Sequence, residues 1–134
     1  MIALDSSVLV PAFATWHEAH AKARASLLEK PRLPAHAGIE AFSVLTRMPA
    51  PHRPSPKVVA DFLRDNFPGS PLTLSAEGYA LLIKEAPARG IAGGAIYDAL
   101  IAATAREAGA TLLSRDLRAA ATYELMGVAF ELLT

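Results

Sequence analysis

Residues 94–116 read GAIYDALIAATAREAGATLLSRD, and this stretch decides the fold. Its first part, over about 95–108, has apolar residues at helical spacing, and Gly109 is placed to end that helix. Ala110–Leu113 is short and apolar, as expected for a buried strand, and Asp116 follows shortly after it. A helix that leads directly into a buried strand is the repeating unit of an α/β protein with a parallel sheet.

The same alternation of helices and strands continues in both directions. Asp116 is placed to begin a last helix that ends at Met126, and a final strand follows over 128–133. Met1–Leu4 is a short β-compatible segment, and another strand is predicted over 71–74. The remaining helices are predicted to cover about residues 6–14, 16–29, 36–48, 55–67 and 75–89. We therefore expect an α/β fold with a mostly parallel sheet and a site at the carboxyl ends of its strands.

The composition favours one cytoplasmic, soluble domain over residues 1–134. The length is that of a single domain, and a 52% hydrophobic composition argues against disorder. The absence of cysteine excludes disulfides, thiolate zinc sites and cysteine nucleophiles. No secretion signal or membrane span is apparent. With 13 basic and 13 acidic side chains, the chain is not a strongly basic nucleic-acid coat protein, but an acidic pocket with a basic rim remains compatible.

Four acidic residues lie where an α/β fold can place an active site. Asp5 follows the first strand and Asp116 a later one, although each is equally explained as the N-cap of the next helix. Glu40 lies on the third helix, where a surface glutamate would be ordinary. Asp98 shares its helix face with small apolar residues, so its carboxylate is expected to face the protein and to need a partner.

Taken together, the four carboxylates predict a divalent-metal site. If they converge to about 5 Å, each pair repels by roughly 3 kcal/mol at an effective dielectric constant of about 20. A hard cation relieves this repulsion, and carboxylate oxygens are ligands that Mg²⁺ and Mn²⁺ prefer. These cations polarise phosphodiesters and lower the pKa of the water that they bind, so such a site is suited to phosphodiester chemistry.

Other motifs do not form a competing site. The two histidines of His17-Glu18-Ala19-His20 are three positions apart, whereas a zinc-protease helix needs a spacing of four. Gly90–Gly94 lacks the lysine and the spacing of a phosphate-binding loop. Asp5-Ser6-Ser7 lacks the second acid of a phosphatase motif. A response-regulator receiver would need a lysine near its end, and none follows Lys84.

With these motifs, the sequence resembles the PIN domains of VapC-type toxins from type II toxin–antitoxin pairs. The resemblance covers nearly the whole chain and is most specific around Asp98. Four segments carry it, and each contains one of the four acids: 2–9, 36–42, 94–105 and 109–116.

The resemblance implies a PIN-like α/β/α sandwich, an endoribonuclease that acts on RNA, a homodimer and a cognate VapB-type antitoxin. Asp5 and Asp98 would be the primary ligands of Mg²⁺ or Mn²⁺, and Ser6 and Ser114 would orient water or phosphate. The catalytic residues that it carries over are Asp5, Glu40, Asp98 and Asp116.

Three points stay open: which basic residues contact RNA, how many metal ions bind, and whether the protein is catalytically active. The segment around Asp116 lacks a second acid that some relatives have. The sequence is therefore compatible with either one or two bound metal ions. A catalytically inactive PIN-like module that binds RNA or protein is the alternative function. Five cations are candidates for contacts with the RNA backbone, although a plain surface charge is the better explanation for each of them: Arg47, Arg53, Lys57, Arg115 and Arg118.

Overall fold

A three-stranded parallel sheet lies at the centre of the computed structural model, which describes residues 1–134. Its strands are β1 (Ile2–Leu4), β2 (Thr111–Ser114) and β3 (Phe130–Leu132), with β2 in the middle. Residues 112–114 are all buried although successive side chains point to opposite faces, so β2 is covered on both sides. The predicted α/β class and the parallel sheet are confirmed.

Seven helices connect and cover the strands. Both α1 and α6 contact β2, while α1 packs against α2 and α3, and α6 packs against α7. None of the helices combines the length and the hydrophobicity needed to cross a lipid bilayer. The helices are α1 (Ser6–Phe13), α2 (His20–Ser26), α3 (Ala35–Thr46), α4 (Pro56–Asn66), α5 (Ala76–Glu85), α6 (Ala95–Glu107) and α7 (Leu117–Met126).

Local residues set most helix ends as predicted. The Ser55 hydroxyl accepts a hydrogen bond from the Val58 N–H at 3.3 Å, and Pro56 takes the first helical position of α4. At the end of α7, Gly127 adopts a left-handed conformation with φ of 68°, which costs little without a side chain. These ends fix the direction in which the chain enters and leaves the sheet.

The predicted start of the second helix was wrong. α2 begins at His20 rather than at about residue 16, because residues 15–19 form turns. In those turns the His17 Nδ1 accepts a hydrogen bond from the Ala19 N–H at 3.0 Å. This local bond competes with helix formation and leaves no trace in apolar spacing. The last part of the predicted helix is a separate 3₁₀ turn, Leu27–Glu29.

The strand predicted over 71–74 is reduced to one bridge. Leu72 pairs in parallel with Pro34, and the Leu72 N–H donates to the Leu33 carbonyl at 2.8 Å. The Ala35 N–H donates to the Leu72 carbonyl at 2.8 Å, and Ala35 is already the first residue of α3, so the extended segment and the ladder end there. The apolar pattern was recognised correctly, but the entry of the chain into α3 limits it to an isolated pairing.

Candidate active site

Three of the four predicted acids line one cleft of about 500 Å³. Glu40 comes from α3, Asp98 from the first turn of α6, and Asp116 from the segment between β2 and α7. Residues that are far apart in sequence are thus brought to one surface beyond the end of β2. The residues that line the cleft are Glu40, Gly94, Ala95, Tyr97, Asp98, Asp116, Arg118 and Thr122.

The fourth acid, Asp5, does not line the cleft but is buried beside it, with 3% of the residue exposed. Its Oδ1 accepts hydrogen bonds from the Ser7 N–H at 3.0 Å and from the Ser7 hydroxyl at 2.5 Å. Its Oδ2 accepts from the Tyr123 hydroxyl at 2.7 Å. Three donors therefore fix the orientation of this carboxylate, which also caps α1 as sequence reasoning had allowed.

Tyr123 was not recognised from the sequence as part of the site. It lies on α7 with none of its surface exposed, and it bonds a residue 118 positions away. Burial, followed by the negative charge of Asp5, raises the pKa of the Tyr123 hydroxyl, so this group stays protonated and can donate. A tyrosine on an apolar helix face looks like an ordinary core residue, so local sequence held no signal for this contact.

We expect Tyr123→Phe to weaken both the fold and the site. The substitution keeps the ring but removes the donor to Asp5, and leaving a buried carboxylate oxygen without it costs about 1–3 kcal/mol. Cleavage of RNA should fall about 10-fold, the scale seen when a group that orients a metal ligand is lost. Thermal unfolding and initial cleavage rates measure the two effects. Tyr79→Phe on the exposed α5 surface is the matched control, and a Tyr123→Phe protein as stable as the parent would contradict this role.

The two predicted serines occupy different positions. Burial raises the pKa of Glu40, and the nearby Ser6 hydroxyl partly opposes that effect. Ser114 is fully buried, and its Oγ accepts a hydrogen bond from the Asp116 N–H at 3.1 Å. Ser6 therefore interacts with an acid directly, while Ser114 holds the backbone that carries one.

Ser7, which sequence reasoning did not single out, connects the first strand to the second. Its hydroxyl donates to Asp5, accepts from the Arg115 N–H at 2.7 Å and lies 3.3 Å from the Ser114 Oγ. The ends of β1 and β2 are thereby tied together through side chains as well as through the sheet. This link fixes the spacing between the segments that carry Asp5 and Asp116.

The acids of the cleft disfavour each other's ionisation. Burial raises the pKa of Glu40, and the charges of Asp98, Asp5 and Asp116 raise it further. The pKa of Asp98 is also raised by burial first and then by Asp116 and Asp5, with Arg118 acting in the opposite direction. The cleft is thus a region of concentrated negative potential, to which a cation would be attracted.

The carboxylates of the site are the right type of ligand for a divalent cation, but they lie too far apart to bind one together. No three His, Asp or Glu side chains lie close enough to one another to hold a metal ion as they stand. Mutual repulsion favours such a spread arrangement. Carboxylates are nevertheless the hard oxygen ligands that Mg²⁺ and Mn²⁺ prefer, so the residues match these cations chemically. Coordination by several of them requires the side chains to move closer.

Asp116 is also a helix cap. Its Oδ1 accepts hydrogen bonds from the Arg118 N–H at 2.9 Å and from the Ala119 N–H at 3.2 Å. The capping interpretation therefore describes this residue correctly, yet the same side chain lines the cleft. A cap and a ligand role are compatible, because one oxygen can cap the helix while the other faces a second partner.

Of the five predicted rim cations, only Arg118 lines the cleft. Lys57 instead pairs with Asp61 on α4, with 2.8 Å between the Lys57 Nζ and the Asp61 Oδ2. The other three do not line the cleft either: Arg47, Arg53 and Arg115. Cationic contacts for a phosphate backbone are thus sparse beside the acids.

Comparisons with known proteins agree with this architecture. The PIN domain family matches residues 2–125. Ribonuclease VapC40 of Mycobacterium tuberculosis is 49% identical over 134 residues, which is 100% of both chains. Ribonuclease VapC27 of the same species is 41% identical over 128 residues, which is 95% of this chain and 93% of that protein.

Two solved structures share the fold at low sequence identity. FitAcB from Neisseria gonorrhoeae superposes with a TM-score of 0.70 and 23% identity, over 97% of this chain and 96% of that one. VapBC2 from Rickettsia felis, bound to a DNA fragment from their promoter, superposes with a TM-score of 0.68 and 17% identity over 100% of both chains. At this level of identity, the likeness supports the fold.

Proposed function

This chain belongs to the PIN-domain family as a VapC-type protein, and from that premise we propose that it is a Mg²⁺- or Mn²⁺-dependent endoribonuclease, the toxin of a type II toxin–antitoxin pair. The observation that carries the proposal is the convergence of Glu40, Asp98 and Asp116 on one cleft with Asp5 buried beside it. Relatives at 49% and 41% identity that are named ribonucleases support the same activity. We take residues 1–134 as a single PIN domain.

We assign Asp5 and Asp98 as the principal ligands of the cation. Glu40 and Asp116 would complete its coordination shell, either directly or through water. A bound Mg²⁺ or Mn²⁺ would polarise the phosphodiester and make water more acidic. Asp5 is already immobilised by its donors, whereas burial and like charges disfavour ionisation of Asp98 and Glu40. A cation offsets those unfavourable interactions, so its binding is favoured at this position.

The remaining predicted residues would hold the RNA and the groups that carry the acids. Arg118 is exposed and lines the cleft, so its guanidinium is the best-placed group to pair with a phosphate. Ser6 is positioned to hold the Glu40 carboxyl, and Ser114 to hold the turn that presents Asp116. None of these groups is assigned a covalent role in the reaction.

We also propose that this enzyme is bound by a VapB-type antitoxin, that it forms a homodimer with a second copy of the chain, and that it is located in the cytoplasm. The description of the Rickettsia felis structure as VapBC2 supports a paired antitoxin. An arginine of such a partner would suit the negative cleft, because guanidinium binds carboxylates bidentately. That arrangement would place antitoxin and metal in competition for the same acids.

The direct test is RNA cleavage by the purified chain. We expect single-stranded RNA oligonucleotides to be cut in Mg²⁺ or Mn²⁺, cutting to stop in excess EDTA, and added Mn²⁺ to restore it. Asp5→Ala, prepared in the same way, controls for contaminating ribonuclease, because a contaminant would be equally active in that preparation.

Two results would overturn the proposal in different ways. Undiminished cleavage in excess EDTA would remove the metal from the mechanism. Binding of RNA with no cleavage in either metal would favour the inactive PIN-like module. In that case the acids would serve only the fold, as helix caps do at Asp5 and Asp116.

A further inference from the structure

Tyr97, which lines the cleft, stacks with His36, and the proposed reaction does not use this aromatic pair. His36 in the first turn of α3 and Tyr97 in the first turn of α6 have ring planes 7° apart and centroids 5.2 Å apart. The pair is close to the acids of the cleft. The His36 Nε2 is 3.9 Å from the Glu40 Oε2, and Tyr97 lines the same cleft as Asp98.

The two rings differ in exposure. Tyr97 lines the cleft and is 53% exposed, whereas the His36 side chain is 25% exposed. His36 thus backs the tyrosine ring, and much of the tyrosine stays open to solvent. An exposed, backed aromatic ring in a cleft is suited to stacking with another planar group, because its position is set before that group arrives.

The charges of the cleft explain why such a surface would be needed. Three acids line it and only Arg118 offers a positive charge to a phosphate. Electrostatic attraction to the RNA backbone, the usual source of affinity, is therefore weak here. Stacking of a base on an aromatic ring does not depend on charge, and it strengthens binding about 10-fold per base.

We propose that His36 and Tyr97 form a stacking platform for the nucleobase next to the scissile phosphate. This inference rests on the proposed ribonuclease function, which it deepens by naming the contact that positions the substrate. It also specifies the substrate as single-stranded, since only an unpaired base can leave its own stack and lie on a protein ring. Tyr97 provides the open face, and His36 holds it in place.

The experiment removes the ring from the protein and the base from the RNA, separately and together. The parent chain first cuts a single-stranded RNA oligonucleotide, and its cut is mapped. Dissociation constants are then measured on the Asp98→Asn background for that RNA and for versions with an abasic site on either side of the cut. Tyr97→Leu removes the ring, Tyr97→Phe keeps it, and Tyr79→Leu on α5 is a control at 49% exposure.

We expect Tyr97→Leu to weaken binding of the intact RNA about 10-fold, and Tyr97→Phe and Tyr79→Leu to leave it within about 2-fold. One of the abasic RNAs should bind the tyrosine protein about 10-fold more weakly, yet bind the leucine variant no more weakly than the intact RNA does. A ring that only stabilises the fold cannot produce this coupling to one base.

Three outcomes would overturn the platform. If the abasic site and Tyr97→Leu weaken binding independently, the ring does not touch that base. If Tyr97→Leu changes the sedimentation of the protein from dimer to monomer without coupling to any base, the ring belongs to an interface with a second copy. If the parent chain cuts no RNA at all, the proposed function fails and the platform fails with it, which distinguishes that case from the other two.

Discussion

Replacing Asp98 with asparagine should reduce RNA cleavage at least 100-fold. The side chain keeps its shape but loses the negative charge that would hold a cation beside the phosphate. Loss of a single group that stabilises charge in the transition state costs on the order of 10²- to 10³-fold in rate. Single-turnover cleavage of one RNA oligonucleotide, with the enzyme in saturating excess and Mn²⁺ also saturating, measures the loss without interference from weaker substrate binding.

The same variant should not be less stable, which separates a catalytic effect from misfolding. The pKa of Asp98 is raised by burial and by Asp116 and Asp5, so its ionised form destabilises the folded chain. That penalty is absent below the ordinary pKa of 3.8 and develops as the pH rises through the raised value. In EDTA at neutral pH, Asp98→Asn should therefore melt at a higher temperature than the parent, by an amount that solvent screening keeps small. The gain should shrink towards acid pH, and an equal gain at every pH would contradict this assignment.

Asp116→Asn should lower cleavage by about 100-fold with little change in stability. Asparagine is as good an N-cap as aspartate, so its side-chain oxygen can still accept from the Arg118 and Ala119 N–H groups. The charge that faces the cleft is lost, however. Initial rates in Mn²⁺ and the midpoint of thermal unfolding give the two quantities, and the stability should change by less than about 0.5 kcal/mol.

Asp116→Ala completes that comparison. It removes both the cap and the charge, so it should be as inactive as Asp116→Asn and also less stable by about 1 kcal/mol. If the asparagine variant turns over RNA at the parental rate, Asp116 is only a helix cap and has no place in the reaction. The pair of substitutions thus separates two roles that the structure gives to one carboxylate.

Most of the fold was predictable because the signals are local. Asp5, Ser55, Ser75 and Asp116 mark helix starts, and each accepts a hydrogen bond from a backbone N–H in the next turn. The errors arose where a single side chain or the start of a neighbouring helix overrides the apolar pattern. The His17 ring holds the turn before α2, and the start of α3 at Ala35 ends the pairing of the 71–74 segment after one bridge.

The site was predictable only in part. The four acids stand at strand ends or on flanking helices, so their type and their positions in the sequence already predict one pocket. The contacts between them depend on packing across long separations. Nothing near Tyr123 in sequence indicates that it bonds Asp5, and Ser7 was indistinguishable from Ser6 until the ends of β1 and β2 were seen together. Pairings between distant residues are set by tertiary packing, which local patterns do not encode.

The burial of Asp5 has a consequence for genetics. This carboxylate caps α1, bonds Tyr123 from α7 and belongs to the proposed metal site, so folding and chemistry cannot be separated there. Cells selected to survive expression of an active toxin should yield two kinds of escape allele. Changes at Asp98 would leave an inert protein at normal abundance. Changes at Asp5 would also expose the chain to proteolysis and deplete it, since losses of about 1–2 kcal/mol alter cellular levels several-fold.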